Sequence, residues 1–299
     1  MVDPRLAVLE RTYARARRGR ALKDWGLRPQ PYDPGSSLAL DDDGFMVDIG
    51  GLVNVTALFP IMNATDNLAA VADLIEFRPT SKNAHISSLS TLCRTALESA
   101  AKTIWLLSPT DRADRQARCI GFTYSELDAQ RGFHAAERKR FHSQPGYEQD
   151  PTYPKFVEHV RLFDERIALM NRQRRDKAPN SSGFVTSAGK WVDSHPPVHD
   201  HGGLFRDGFA SAVDRFYTLG SGFVHGYKWA MDYVKRELDS FAMVADGLGA
   251  AVGMAECAVA LYEAQAQRQG APTSRQQLHP DSLRPTISNW AALYGSTPG

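Results

Sequence analysis

The amino-acid sequence predicts an all-α protein, a multi-helix bundle with long loops. Apolar residues recur every three to four positions over long stretches, as one face of a helix requires. No stretch alternates apolar and polar residues for long, apart from a short hairpin expected around 45–55, near the N-terminus. Clusters of Pro and Gly punctuate the helical runs, and no repeat of solenoid spacing is present.

The elements follow in order. Residues 3–24 read as a helix with sparse apolar positions at Leu6, Leu9, Tyr13 and Leu22, opened by Asp3-Pro4. Residues 26–44 hold Pro29, Pro31, Pro34, Gly35 and Asp41-Asp42-Asp43 and read as a loop, because the three aspartates lack calcium-loop spacing. From 52 to 77 the spacing is helical, with a kink or break at Pro60. Residues 84–107 give the clearest helix, through Leu89, Cys93, Ala96, Ala100, Ile104 and Leu107, stopped by Ser108-Pro109. A Thr110 cap opens the next helix, which runs to about Phe141. After a loop, 153–177 is a charged helix striped by Phe156, Val160, Phe163, Ile167 and Met170. Residues 178–203 carry so many Pro and Gly that they read as a long loop. Helices at 205–234 and 236–268 follow, the second wide enough in its apolar face for deep burial. The chain therefore divides into an N-terminal basic helix and linker (1–44), a helical bundle domain (45–268) and a polar C-terminal tail (269–299).

Composition narrows the function classes. Of 299 residues, 42% are hydrophobic and 23% charged, the balance of a globular chain rather than a disordered one. Thirty-five Lys and Arg against 34 Asp and Glu leave a net charge of +1, so no global field draws the chain to nucleic acid or membrane. Local patches remain: Arg11, Arg15, Arg17, Arg18, Arg20 and Lys23 form either a solvated face or a contact for RNA, and Arg172, Arg174, Arg175 and Lys177 form a second stretch. Cys93, Cys119 and Cys257 are too few and too scattered for a disulfide framework or a zinc module. The longest apolar-rich stretch, taken as 51–63, is too short to span a bilayer, and no signal peptide is visible. Cytoplasmic residence is the expectation.

Three clusters bear chemistry. Arg94 and Glu98 stand four apart on one helix face, with Lys102 the only other charge of that helix. They form either a bundle-locking ion pair or an anchor for phosphate or carboxylate. Tyr217, Ser221 and His225 line one face of a later helix, where His225 is a core histidine or a general acid and base. Gly220, Gly222 and Gly226 there imply close approach of a backbone or ligand, or a helix break. His195, His199 and His201 with Asp193 and Asp200 are dense enough to raise zinc, but the prolines between them and the lack of a partner motif argue for a flexible loop; no metal ligand is assigned. Gly220-Ser221-Gly222 has no preceding strand, which excludes a serine-hydrolase elbow. Without a P-loop or a dinucleotide fingerprint, no cofactor is expected.

The run Arg94-Thr-Ala-Leu-Glu98 and the later Tyr217-Thr-Leu-Gly-Ser221-Gly-Phe-Val-His225-Gly resemble a group of uncharacterised bacterial helical proteins distantly similar to the HEPN-like superfamily. The resemblance covers about residues 84–230. It implies a helical bundle, often dimeric, and in many members a metal-independent ribonuclease of toxin or phage-defence systems whose site pairs Arg with a His a few residues on. Here nine residues separate Arg215 from His225, so a second helix has to bring the arginine, and Arg94 is the one available. Two readings result. In one the chain is an intracellular binding or interaction module, a homodimer in the simplest case, with Arg94, Glu98, Tyr217 and His225 as a buried polar network. In the other, His225 is the acid and base of a ribonuclease, Arg94 neutralises phosphate, and Tyr217, Ser221 and Glu98 complete the site.

Overall fold

The computed structural model describes residues 4–81, 83–199 and 208–295. Its helices are α1 (Pro4–Arg20), α2 (Lys23–Leu27), α3 (Ser37–Asp42), α4 (Leu52–Ser81), α5 (Ile86–Leu107), α6 (Arg112–His142), α7 (Tyr153–Met170), α8 (Ser181–Ser194), α9 (Phe209–Val224), α10 (Glu237–Ala266) and α11 (Arg284–Ala291), with single 3-10 turns between some of them. No strand occurs among the described residues, so the all-α expectation holds and the hairpin around 45–55 does not form. Two compact units result: the described residues of Met1–Thr110 with those of Pro179–Gly299, and Asp111–Ala178.

In the first unit α10 is the central element. Val244, Leu248, Val252, Ala255, Val259 and Tyr262 are buried, but so are Ala250, Cys257 and Leu261 on its other faces. A helix apolar all round needs neighbours all round, and α1, α4, α5, α9 and α11 pack against it. The segment Leu238–Ala266 is long and apolar enough to cross a membrane by length and composition, and its most apolar stretch of 18 residues is 94% buried inside the protein. It, rather than 51–63, is the longest apolar stretch. Polar ties fix the neighbours: Thr103 donates to the Ala57 carbonyl at 2.7 Å, Tyr262 to Asn54 Oδ1 at 2.6 Å, and Gln265 to the Leu107 carbonyl at 2.8 Å.

Several boundaries differ from those read in the sequence, each for a local reason. The basic helix α1 is no separate segment. Arg15 donates to the Ala245 carbonyl of α10 at 2.6 Å, Arg18 pairs with Glu256 at 2.5 Å, and Arg20 bonds Asp73 at 2.6 Å and also Glu76. The aspartate run is not all loop: Asp42 ends α3, and its carboxylate accepts the Val53 N–H at 2.8 Å and the Asn54 N–H at 3.3 Å, capping α4 from ten residues upstream. Helix α4 continues through Pro60. Asp111, not Thr110, caps α6, accepting the Asp114 N–H at 3.1 Å. The 178–203 stretch contains α8, capped by Asn180, whose side chain accepts the Gly183 N–H at 2.9 Å. The C-terminal stretch carries α11, with Ile287 and Trp290 buried.

The second unit is a helical hairpin of α6 and α7. Phe141 stacks near Tyr153 and Phe156, at ring distances of 5.2 and 5.3 Å, and His134 meets Phe163 edge-on at 4.6 Å. The Gln130 amide nitrogen lies 3.1 Å from His159 Nε2 and 3.4 Å from His134 Nε2, within reach of both imidazoles.

Candidate functional site

The fold brings Arg94 of α5 to Tyr217 and Ser221 of α9, elements more than a hundred positions apart. Arg94 Nε donates to Ser221 Oγ at 3.1 Å, and one terminal nitrogen donates to the Tyr217 hydroxyl at 2.7 Å. The guanidinium carbon sits 4.4 Å from the Tyr217 ring centre, a cation–π contact. The Tyr217 hydroxyl in turn donates to Glu98 at 3.3 Å, and Ser221 Oγ donates to the Tyr217 carbonyl at 2.9 Å. This closeness depends on Gly220: a Cβ there would stand 3.3 Å from Arg94 Cβ. The glycine expected to admit a backbone or ligand therefore admits an arginine stem.

Electrostatically the cluster is arranged around Glu98. Its carboxylate lies 3.1 Å from Lys102 Nζ and 3.8 Å from Arg94, with side-chain exposures of 15–16% for Arg94 and Glu98. Burial alone would raise the Glu98 pKa. The Lys102 charge, a hydrogen bond from Ser181 and the Arg94 charge outweigh it and hold the group below its ordinary value. Tyr217 moves the other way. Burial and the negative charge of Glu98 raise its pKa, and Arg94 only partly opposes them. At neutral pH the set is thus two cations, one carboxylate and a protonated phenol.

His225 stands apart from this set. Helix α9 stops at Val224 rather than near 234, because Gly226 takes a positive φ of 65°. The Tyr227 N–H returns to the Gly222 carbonyl at 2.8 Å and the Gly226 N–H to that of Phe223 at 3.2 Å, a Schellman stop. His225 is the C-cap of that stop. Its imidazole is exposed and lies 5.5 Å from the Tyr227 ring. Gly222 makes room for Trp229 and Ala230, which fold back from the following turn. The expected buried Arg-Glu-His-Tyr network thus keeps its Arg, Glu and Tyr, gains Ser221, Lys102 and Ser181, and leaves the histidine in solvent.

The other histidines are engaged separately. His195 stacks on Trp191 at 4.7 Å, and its Nδ1 lies 3.0 Å from the Trp191 carbonyl. His199 is buried on α11, where Thr286 Oγ1 accepts the N–H groups of Val198 and His199 and lies 2.8 Å from His199 Nδ1. That geometry sends the hydroxyl proton to Nδ1 and leaves Nε2–H toward Glu256, 3.7 Å away. His201 and Asp200 lie outside the described residues. The sequence reading passed over Ser181, which it placed in a loop, and the buried Glu256. A carboxylate in the most apolar helix of the chain was the available signal for the latter. No protein-family model, curated protein or solved structure matches this chain.

Proposed function

We propose that this chain is a helical binding module without a catalytic centre at Arg94, in which the Arg94–Glu98–Tyr217–Ser221 network sets the register of α9 against α5. The observation that carries this reading is that the polar groups chemistry would need are engaged with one another. The guanidinium serves Ser221 and Tyr217, and the carboxylate serves Lys102 and Tyr217. A substrate would have to displace Tyr217 or Ser221 before reaching Arg94. Half-buried networks of this kind specify one packing out of several. The partner in this reading is a second copy of the chain. The resemblance of the 84–230 stretch to proteins that are often dimers supports it, and a net charge of +1 sets little repulsion between copies. Light scattering over a concentration series tests the dimer, and a monomer throughout removes it.

A second reading, a metal-independent ribonuclease, draws on one distance. His225 follows Ser221, the anchor of Arg94, by four residues, which places its Cα about one helical turn, roughly 6 Å, further along the chain. The discriminating experiment incubates the purified protein with single-stranded RNA in chelator-treated buffer. The expected outcome is intact RNA, with His225→Ala shifting the thermal midpoint by no more than about 2 °C, as exposed substitutions do. RNA cleavage that His225→Ala abolishes in a folded protein overturns the binding-module reading.

A further inference from the structure

At the end of α10 the chain turns back, and residues 268–292 enclose a cleft of about 500 Å³ against the last turn of that helix. A volume of this size suits a small organic ligand and exceeds what a bare inorganic anion would fill. The cleft is independent of the Arg94 network and uses none of its residues.

Its floor is a neutralised ion pair. Glu263 and Arg275, both nearly inaccessible, pair at 2.5 Å. Glu263 also accepts from Trp25 at 2.7 Å and Gln267 at 2.8 Å, and Arg275 donates to the carbonyls of Gln30, at 3.0 Å, and Pro31. Neither has a charge to offer a ligand. Arg268 offers a charge, and His279 offers a ring lone pair. Arg268 is exposed and its guanidinium makes no ion pair or hydrogen bond among the described residues; only its backbone N–H is engaged, on Asp33 at 3.2 Å. His279 is 8% exposed. Its Nδ1 lies 3.1 Å from the Pro280 carbonyl, which can only accept, so in the neutral ring Nδ1 carries the proton and Nε2 is an acceptor with no hydrogen-bond partner among the described residues. The ring is mostly buried but this nitrogen is open to solvent on the wall of the cleft, where a ligand donor can reach it.

We propose that this cleft binds a phosphomonoester of a small polar molecule, of nucleotide or sugar-phosphate size. Arg268 takes the phosphate, since a guanidinium matches two of its oxygens at once. Arg284 on the same lining is paired with Asp281 at 3.2 Å and donates to Gln277, so Arg268 is the cation left to meet the phosphate. His279 Nε2 accepts a hydrogen bond from a hydroxyl or amino group on the body of the ligand. Ile287 and Ala291 supply the apolar wall on which that body rests.

Calorimetric titration of the full chain tests this with AMP, UMP and ribose 5-phosphate, each beside its dephosphorylated counterpart, and with succinate. The expected result is binding of at least one phosphorylated probe in the micromolar to low-millimolar range. Its dephosphorylated form and succinate should bind at least about tenfold more weakly, a difference of about 1.4 kcal/mol. Arg268→Gln, at an exposed position, should weaken the phosphorylated probe by a similar factor with an unchanged melting profile. His279→Asn should weaken it as well, with folding checked by circular dichroism. Failure of every phosphorylated probe to bind, equal binding of the dephosphorylated forms, or an Arg268→Gln variant of undiminished affinity each overturns the proposal. None of these variants touches α5 or α9, so the outcome is separable from that of the binding-module experiments.

Discussion

Replacing Arg94 with Met keeps the stem that packs on Gly220 and removes the guanidinium. Two hydrogen bonds disappear, to Ser221 at 3.1 Å and to Tyr217 at 2.7 Å. With an ionised donor each contributes about 1.5 kcal/mol at the low end of the usual range. The stacking over the Tyr217 ring adds about 0.5–1 kcal/mol. The Glu98 pair, at 3.8 Å and with some solvent access, adds less than about 1 kcal/mol. The phenol keeps Glu98 as a partner, so no unpaired group adds to the cost, and the expected loss is about 3.5–5 kcal/mol, or a midpoint lowered by roughly 10 °C. The assay is urea and thermal unfolding of Arg94→Met, Tyr217→Phe and the double variant. A coupling energy above about 0.5 kcal/mol is expected between the two sites. A loss below about 1 kcal/mol, within the range of unremarkable surface changes, would refute the view that this network holds α9 to α5.

Three further outcomes follow from the packing and the charges. A Cβ at Gly247 would lie 1.9 Å from Phe216 Cε2, so Gly247→Ala should destabilise by about 3 kcal/mol, and adding Phe216→Leu should restore part of that in denaturant unfolding. Burial, aided by His159 and Arg138 and opposed by Asp164, holds His134 below the ordinary imidazole range. The unfolded chain therefore takes up this proton first on acidification: stability is full above about pH 6.5 and is lost as the pH falls below it toward the folded-state value. Amide hydrogen exchange in α6 and α7 should report that loss, and His134→Phe should flatten it. Burial pushes the Cys93 thiol up to about 12, so at pH 8 it should resist alkylation in the native protein and react once the protein is unfolded.

The helices with a strong apolar stripe were largely legible from spacing: α5 and α10 lie close to where periodicity places them, and α7 starts as expected at Tyr153 but ends at Met170, seven residues before the expected end at 177. What failed was the reading of Gly and Pro as loop markers. Gly189 sits inside α8 because a Cβ there would come within 2.7 Å of Ala210 Cα, so that glycine reports helix contact, not flexibility. The stripe Phe184, Val185, Ala188 and Val192, with Asn180 before it, was the competing signal. Asp42 defeated the sequence reading differently, since its cap on α4 spans ten residues and local rules search only three. For the site, the i,i+4 spacings of Arg94–Glu98 and Tyr217–Ser221 were informative, because helical geometry alone puts each pair on one face. That same rule extended to His225 one residue too far: Gly226 ends the helix, and the last position of a regular pattern became a cap in solvent. Which faces of α5 and α9 would meet was a tertiary matter that neither spacing contained.

The position of α10 along the chain has a consequence for synthesis. Helices α1, α4 and α5 are complete by residue 107, yet the element they all pack against ends only at residue 266. At ribosomal speeds of about 5–20 residues per second, their apolar faces wait roughly 10–30 s for the partner that covers them. The nascent chain therefore exposes apolar surface over that interval, and a truncation before 237 should yield aggregates rather than a smaller folded protein.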